Sequence, residues 1–344
     1  MNLFVCLRPN HVLKSLMWSF YYGNKEDIFV LGCGQVKSMK NIASRMLKEG
    51  FNVFKIDEIA IDKAILSSNK LARIYNLIFY KEIIKKRNFL KDLIDFNVTN
   101  VYLFYDQNFL SHFLMSHYSV HGANVYLLED GLSNYNPRRP FKSFYRYLSG
   151  MHPLGLNKKI KNILLFYPER YTGKDSHKVA PLTKKIISYS KDVEHNKLIS
   201  KIFAVDQHEF KFSYNEKVFV VVTQPLSNIN ILSNEEQVAV YSHIVNSLKK
   251  IGKVFIKTHP QDECLYDDLF QCEINGDVPF ELIMDVFPNN ATFLSLYSSI
   301  GLLDDTRAIN LIEFNMPKDI RREVISLCQK DIVSIVFDGK KVNQ

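Results

Sequence analysis

Residues 233–260 read SNEEQVAVYSHIVNSLKKIGKVFIKTHP, and this stretch decides the fold. Ser233 and Glu236 have the spacing of a capping box, after which apolar residues recur at helical spacing until Gly252. The following run, Val254-Phe255-Ile256, is apolar on both faces, which is typical of a strand in a parallel sheet covered by helices on both sides. The stretch therefore predicts one helix and strand unit of an α/β fold.

Similar short apolar runs alternate with amphipathic segments along most of the chain, as they do in βα units. The predicted strands form two groups, which are residues 3–6, 28–31, 53–56, 101–104 and 125–128, and then 218–222, 254–256, 292–294 and 332–336. Between about residues 134 and 216 the pattern breaks down. We therefore predict an α/β protein with two Rossmann-like doubly wound domains, residues 1–180 and 181–344, facing a central cleft.

The composition of the 344 residues is that of an ordinary globular protein, with 47% hydrophobic and 23% charged residues. A formal net charge of +8 favours an anionic partner such as a nucleotide, a membrane surface or an acidic glycan. The five cysteines are scattered without a CxxC pair, which indicates neither a disulfide framework nor a zinc site. No apolar run approaches the roughly 20 residues of a membrane-spanning helix and no leader pattern opens the chain, so we expect a cytoplasmic protein.

Acidic residues follow a strand of the first half at Glu129-Asp130-Gly131. A carboxylate at the carboxyl end of a parallel strand is placed to take a proton from a substrate hydroxyl. Gly131 suits a tight turn at this point. Acids at strand ends also cap the next element, and this structural interpretation remains an alternative.

Polar residues follow two strands of the second half. Lys257-Thr258-His259-Pro260 offers a cation, a hydroxyl and an imidazole in succession, which suits an anion, although a histidine satisfied by a turn carbonyl is the simpler interpretation. Thr223-Gln224 follows residues 218–222 in the same way, with ordinary turn chemistry as its alternative.

Two further candidates lie later in the chain. Ser298 and Ser299 follow an apolar run, where hydroxyls and backbone N–H groups at a strand-to-helix turn can hold a phosphate. Glu281 follows Pro279 near the start of a short predicted helix, where the helix dipole alone would favour an acid. The acid pairs Asp267-Asp268 and Asp304-Asp305 lack further ligands at a convincing spacing, so we predict no metal site.

The ordered set of Glu129-Asp130-Gly131, Lys257-Thr258-His259-Pro260, Val278-Pro279-Phe280-Glu281 and Ser298-Ser299 resembles the motif set of bacterial sialyltransferases. It is shared by glycosyltransferase family 52, the bacterial polysialyltransferases and the larger marine-type enzymes, which have two Rossmann-like domains in the GT-B arrangement. Thr223-Gln224 and the opening residues 4–11 fit family 52 and the polysialyltransferases best. The resemblance covers roughly residues 3–303 and is weakest in the middle of the chain.

The resemblance implies an inverting sialyltransferase that uses CMP-sialic acid and makes bacterial surface polysaccharide or lipopolysaccharide. Glu129, where several relatives have Asp, would be the general base on the acceptor hydroxyl, with Asp130 beside it. His259 would assist departure of CMP, and the implied substrate-binding residues are Lys257, Pro260, Glu281, Ser298, Ser299, Thr223, Gln224 and Gly131. CMP carries one phosphate, so a histidine, hydroxyls and backbone dipoles suffice without a metal ion or cofactor.

The segment 134–171 interleaves basic and aromatic residues. It predicts either a surface that lies on anionic phospholipid, bringing the enzyme to the inner face of the cytoplasmic membrane, or a solvated loop with aromatic anchors. We expect no nucleic-acid partner, because no binding module accompanies the charge.

Two other functions remain alternatives. One is a different GT-B glycosyltransferase or a sugar-nucleotide epimerase of the same architecture that uses another activated sugar. The second is a non-catalytic basic module that recruits an assembly to the membrane.

Overall fold

The computed structural model describes residues 1–23, 26–66, 69–137, 149–151, 154–182, 192–205, 216–266, 273–274, 278–284, 286–296, 307–312 and 319–342. The chain forms two compact units, Met1–Ala204 (unit 1) and Val205–Gln344 (unit 2).

The helix Val193–Phe203 explains why unit 1 extends past the predicted boundary at residue 180. Arg45 donates through Nε to the Ile202 carbonyl at 2.5 Å, and Lys201 lies 3.7 Å from Glu49. These contacts attach Val193–Phe203 to the helix of unit 1 that contains Arg45. The boundary after Ala204 is therefore set by helix packing, which the pattern of predicted strands does not reveal.

Unit 1 alternates strands and helices in nearly regular order. Its strands are β1 (Asn2–Cys6), β2 (Ile28–Gly32), β3 (Asn52–Ile56), β4 (Asn100–Leu103), β5 (Asn124–Leu128), β6 (Ile160–Leu165) and β7 (Val179–Pro181). Its described helices are α1 (Pro9–Tyr22), α2 (Ser38–Lys48), α3 (Glu58–Ile65), α4 (Lys70–Ile78), α5 (Tyr80–Lys86), α6 (Phe109–Val120) and α7 (Val193–Phe203).

The seven strands of unit 1 form one parallel sheet in the order β3-β2-β1-β4-β5-β6-β7. All five residues of β2 are buried, as expected for a strand covered on both faces. The order reverses between β1 and β4, and a crevice at such a switch point is where doubly wound sheets bind ligands. Strands β6 and β7 lie in the segment where the sequence pattern breaks down. Strand β6 buries only Ile160, Ile163 and Leu165 of its six residues, and β7 has only three residues.

Unit 2 is a second, smaller α/β unit. Its strands are β8 (Val218–Val222), β9 (Lys253–Lys257), β10 (Glu273–Ile274), β11 (Thr292–Ser295) and β12 (Ala308–Asn310). Its described helices are α8 (Asn234–Lys249), α9 (Phe280–Met284), α10 (Ile320–Ser326) and α11 (Ile332–Val342). The strands form one parallel sheet in the order β10-β9-β8-β11-β12, so its switch point lies between β8 and β11.

The predicted capping box of α8 is confirmed. Ser233 Oγ accepts the Glu236 N–H, and the Glu236 carboxylate accepts the Ser233 N–H at 2.9 Å. The buried face of α8, including Val240, Ile244 and Leu248, packs over β8 and β9. Gly252 is needed for close approach, since a Cβ there would lie 2.4 Å from the Lys217 carbonyl oxygen.

The predicted strand at residues 332–336 is wrong, because these residues begin helix α11. Ile332 and Val336, four residues apart, are both fully buried in the core of unit 2, whereas Ser334 between them is exposed. Asp331 starts the helix by accepting the Val333 N–H at 3.0 Å. The remaining predicted strands are present, and the predicted class of two parallel α/β sheets is confirmed.

Candidate active site

The motif residues that the structure describes in unit 1 lie at the carboxyl edge of its sheet. Strand β1 is followed by Arg8 and His11, and strand β5 by Glu129 and Asp130. Strand β4 separates β1 from β5, so these four side chains flank the switch point between β1 and β4.

Glu129 is buried and its carboxylate is fixed by two donors. Glu129 is only 5% exposed. Its Oε2 atom accepts the Phe166 N–H at 2.9 Å and the Tyr135 hydroxyl. Burial, and then the bond to the Glu129 carboxylate, raise the pKa of Tyr135, so the phenol keeps its proton and acts as donor. Among the described residues, no donor bonds to Oε1, which leaves that oxygen able to accept a proton.

Asp130 is held by cationic and imidazole groups that follow β1. His11 is fully buried and donates through Nε2 to Asp130 Oδ1 at 2.6 Å, while Arg8 lies 3.7 Å from Oδ2. Burial alone would raise the pKa of Asp130, but His11, Arg8 and Lys14 together hold it well below its ordinary value. Asp130 is therefore an anion and a weak base.

The buried His11 ring is in its neutral form. Its Nδ1 atom accepts the Leu7 N–H at 3.2 Å, which leaves the proton on Nε2 for Asp130. Burial lowers the pKa of His11, and the attraction of Asp130 opposes this only in part. The ring also stacks on Phe104 with centroids 4.5 Å apart, so its orientation is fixed from two sides.

The acidic turn itself is closed by two side chains. Asn134 Oδ1 accepts the backbone N–H groups of Asp130 and Gly131 at 3.0 and 3.1 Å, and Lys14 Nζ donates to the Glu129 carbonyl at 3.0 Å. Gly131 does not have a positive φ angle, and a Cβ there would meet no atom within 4 Å. The backbone at Gly131 is therefore in a conformation that other residues also adopt, and no atom of the described residues fills the space beside it.

The corresponding residues of unit 2 lie at the carboxyl ends of β8 and β9. Val222 and Lys257 are paired in the sheet, so Thr223 and His259 follow neighbouring strand ends. Thr223 Oγ1 accepts the His259 N–H at 3.0 Å, and His259 Nδ1 accepts the Gln261 N–H at 3.1 Å. The His259 proton therefore lies on Nε2 when the ring is neutral.

Asp262, which sequence reasoning missed, joins these loops. Its two oxygens accept four hydrogen bonds, from Thr223 Oγ1 at 2.5 Å, Tyr266 Oη at 2.8 Å, Gln237 Nε2 at 2.9 Å and the Cys264 N–H at 3.1 Å. Gln237 is fully buried on α8. The turn that carries His259 is thereby tied to both β8 and α8. The sequence feature that could have identified Asp262 is its position three residues after His259. The Asp262 N–H donates to the His259 carbonyl and closes a turn there.

The other predicted substrate-binding residues of unit 2 have varied surroundings. Lys257 is buried, Pro260 is exposed, and the Gln224 N–H donates to the Tyr241 hydroxyl at 2.8 Å. Glu281 is partly exposed near the start of α9. Within the described residues, its carboxylate makes no hydrogen bond or ion pair. Ser298 and Ser299 lie outside the described residues, shortly after β11 ends at Ser295.

The basic and aromatic segment 134–171 is described only in part. Tyr135 is buried against Glu129, and Lys161 on β6 donates to Asn124 at 3.1 Å. Arg170 lies over the Tyr167 ring, 4.6 Å from its centroid. Several members of the segment thus have partners within unit 1, and membrane contact through it stays a prediction.

The described ranges also bear on metal binding and membrane spanning. In those ranges no group of three or more His, Cys, Asp or Glu side chains is arranged to hold a metal ion. Among the described helices, none has the length and apolar character needed to cross a membrane.

Comparison with known proteins gives one distant relative and a set of structural neighbours. A Haemophilus influenzae protein described as uncharacterized is 27% identical over 166 residues, which are 48% of this chain and 53% of the relative. The chain therefore matches about half the length of that relative.

The solved structures resemble the whole chain at low identity. UDP-GlcNAc 2-epimerase from Neisseria meningitidis, bound to UDP-GlcNAc, is 13% identical with a TM-score of 0.50, covering 99% of this chain and 98% of its own. The S. aureus MnaA structure with UDP is 11% identical with a TM-score of 0.49, covering 97% and 90%. At such identity the likeness to the Neisseria epimerase concerns the fold alone, which is of the GT-B type.

The family assignment rests on a longer match. Residues 38–306, which are well over half of the chain, match glycosyltransferase family 52. This interval includes the acidic turn after β5 and the motif residues of unit 2. The resemblance drawn from the motif set is confirmed, and the chain belongs to glycosyltransferase family 52, a sialyltransferase family.

Proposed function

We propose that the protein transfers sialic acid from CMP-sialic acid to a hydroxyl of a glycan, by a single displacement that inverts the anomeric carbon and uses no metal ion. The observation that supports this proposal is the placement of the described motif residues at carboxyl ends of strands, after β1 and β5 in unit 1 and after β8 and β9 in unit 2. The glycan would belong to a bacterial surface polysaccharide or lipopolysaccharide.

Glu129 is the group we assign as general base. The Tyr135 hydroxyl and the Phe166 N–H both bond to Oε2, so the carboxylate has a fixed orientation and Oε1 is left for the acceptor hydroxyl. A base that is fixed in place loses little entropy when the acceptor binds. The open space beside Gly131 gives the acceptor a route to this end of β5.

Asp130 has a different role in this proposal. Its pKa is held far below the ordinary value, and proton transfer is inefficient when the base is much weaker than the group it serves. Its hydrogen bond from His11 and its closeness to Arg8 instead fix the second residue of the acidic turn. We therefore assign Asp130 to positioning the turn, with His11 as its partner.

Departure of CMP is assigned to unit 2. His259 would donate its Nε2 proton to the phosphate, and Lys257, Ser298, Ser299 and Thr223 would contribute a cation and hydroxyls around the anion. These donors act on charge that develops as the bond to the sugar breaks, which is where preorganised dipoles have most effect. Since CMP has one phosphate, the developing charge is smaller than on a diphosphate.

Further residues of unit 2 are assigned to binding the nucleoside of the donor. Glu281, which has a carboxylate without a described partner, would accept hydrogen bonds from ribose hydroxyls. Gln224 follows β8 and Pro260 follows β9, and both residues would contact the donor. We place the reaction in the cytoplasm, with the acceptor presented at the inner face of the cytoplasmic membrane.

Membership of a glycosyltransferase family favours the transferase over the epimerase and the non-catalytic module. The epimerase structure that resembles this chain does so at 13% identity, which concerns the fold alone.

The test is release of CMP from CMP-sialic acid by the purified protein, with galactose-terminated and sialic-acid-terminated acceptors compared. We expect acceptor-stimulated release and a product lengthened by one or more sialic acid residues. Turnover of UDP sugars without turnover of CMP-sialic acid would overturn the donor assignment. The anomer first formed, read by proton NMR, distinguishes inversion from retention.

A further inference from the structure

Helix α4 of unit 1 presents an apolar stripe to solvent. Leu71, Tyr75 and Ile78 occupy positions i, i+4 and i+7, which lie on one face of a helix. They are 80%, 60% and 49% exposed, and the neighbouring Phe79 is 42% exposed and contacts the Tyr75 ring. The opposite face of α4 is attached to unit 1 through Leu77, which is 1% exposed. The strongly amphipathic helix thus turns its apolar side outward.

This arrangement is not required by the packing of unit 1. Asn69 caps α4 by accepting the Leu71 and Ala72 N–H groups, and Leu77 supplies the buried contact. Contiguous apolar patches on a protein surface commonly mark an interaction site.

Basic residues flank the stripe along the chain. From Lys70 to Lys91 the chain carries seven Lys or Arg residues and a single acid, Glu82. Lys70 begins α4, and the exposed Lys85, Lys86 and Arg87 end α5, which follows α4 directly and packs beside it. An apolar stripe flanked by lysine and arginine is the pattern of a helix that lies in the interface of an anionic bilayer.

We propose that unit 1 docks on an anionic phospholipid surface through the α4 surface, defined as Leu71, Tyr75, Ile78 and Phe79 with Lys70, Lys85, Lys86 and Arg87. This goes beyond the proposed transfer reaction and locates membrane contact outside segment 134–171. The apolar side chains insert among the acyl chains, and the basic residues contact the phosphate groups.

Charge selects the bilayer over a second copy of this chain. In a two-fold contact the same patch would face itself, bringing two sets of lysines and arginines together. An anionic lipid surface has the opposite charge and the extended flat shape that a single exposed helix can lie on. The attraction acts within a Debye length and weakens with salt.

The test is flotation of the full chain with vesicles of phosphatidylcholine, with or without phosphatidylglycerol, at low and high salt. The stripe variant is Leu71→Gln, Tyr75→Gln and Ile78→Gln, which keeps good helix formers on α4. The matched control places glutamine at three exposed apolar positions elsewhere, Val120, Val193 and Leu265, which are 75%, 66% and 76% exposed. Circular dichroism and thermal melting of each variant verify that the fold is kept.

We expect wild type and the matched control to float with phosphatidylglycerol vesicles at low salt. The stripe variant should lose at least about tenfold in partitioning, as burial of three apolar side chains is lost. Lys85→Glu with Lys86→Glu should weaken binding to a similar extent, and high salt should release the wild type.

Three results would overturn the proposal. The stripe variant could float as well as wild type, or Lys158→Glu with Lys161→Glu could abolish flotation while the stripe variant retains it. Sedimentation velocity could instead show a dimer that the stripe substitutions dissociate, with no vesicle binding by wild type. Vesicle binding does not depend on the sugar donor, so this test is independent of the proposed reaction.

Discussion

The carboxyl edges of the two sheets hold their acidic residues in different ways. In unit 1, Asp130 is paired with the His11 imidazole and lies near Arg8, and the adjacent Glu129 has one oxygen fixed by Tyr135 and Phe166. In unit 2, the four donors on Asp262 are a threonine and a tyrosine hydroxyl, a glutamine amide and a backbone N–H. One edge keeps a carboxylate available, and the other uses its carboxylate for structure.

The difference matches the two halves of a transfer reaction. An edge with a fixed carboxylate suits removal of a proton from the acceptor. An edge whose acid is fully hydrogen-bonded, with a lysine and a histidine nearby, suits a departing phosphate. In the proposed reaction, two sheets with the same order of central strands would take different roles through the residues that follow β1, β5, β8 and β9.

The largest expected effect on turnover is that of Glu129→Gln, which keeps the shape of the side chain and removes the base. Turnover should fall by roughly 10²- to 10⁴-fold, the usual contribution of a general base. Acceptor-stimulated release of CMP measures the loss, and the affinity for CMP should stay within about twofold. Asp130→Asn is the control, and an equal loss of turnover in both variants would contradict the separate roles given to the two acids.

His259→Asn comes next, because asparagine can still accept the Gln261 N–H while losing the proton donated to the phosphate. Turnover should fall by about 10²-fold, at the lower end of the range for general acid catalysis. The kinetics of CMP-sialic acid turnover provide the measurement. Gln261→Ala, which keeps the imidazole, should have a much smaller effect, and the reverse order would refute the role of His259.

Asp262→Asn tests whether the acid of unit 2 is structural. An amide in place of the carboxylate leaves donors facing an NH₂ group, which costs about 1–3 kcal/mol in the free energy of unfolding. Urea unfolding followed by fluorescence measures this cost. The neighbouring exposed acid provides the control, since Glu263→Gln should change stability by less than about 0.5 kcal/mol. A fully stable Asp262→Asn would argue against the network.

The smallest effect concerns pH and His11, whose pKa is lowered by burial from its ordinary 6.5. The unfolded chain binds a proton below that pH and the folded chain does not, so wild type loses stability as the pH falls, by up to about 1.4 kcal/mol per pH unit. His11→Gln removes this dependence. Its stability deficit should therefore shrink between about pH 7.5 and about pH 5.5. A deficit that grows instead would mean that folded His11 is protonated.

Most of the strands could be predicted from the sequence, because a buried parallel strand is a short apolar run bounded by polar residues. Residues 28–31 and 218–222 are runs of this kind, and both lie in fully buried strands. The same rule failed at residues 332–336, where Ile-Val-Ser-Ile-Val suits a strand by propensity but lies on α11. Burial of Ile332 and Val336 against the core of unit 2 decided the structure there.

The candidate site was predicted only where its residues directly follow strands. Glu129 and His259 were found in that way, whereas the partners that fix the site come from distant parts of the chain. His11 reaches Asp130 across 119 residues, and Gln237 reaches Asp262 across 25. Such pairings depend on the order of strands in the sheet, which local sequence patterns do not specify.

In the proposed reaction, unit 1 supplies the base and unit 2 binds the departing nucleotide. Titration calorimetry of CMP with Glu129→Gln and with His259→Asn, beside the turnover of each, tests it most directly. We expect that Glu129→Gln binds CMP as wild type does but no longer transfers sialic acid, and that His259→Asn binds CMP about tenfold more weakly through loss of one charged hydrogen bond. Equal weakening of CMP binding in both variants, or normal turnover by Glu129→Gln, would contradict the claim.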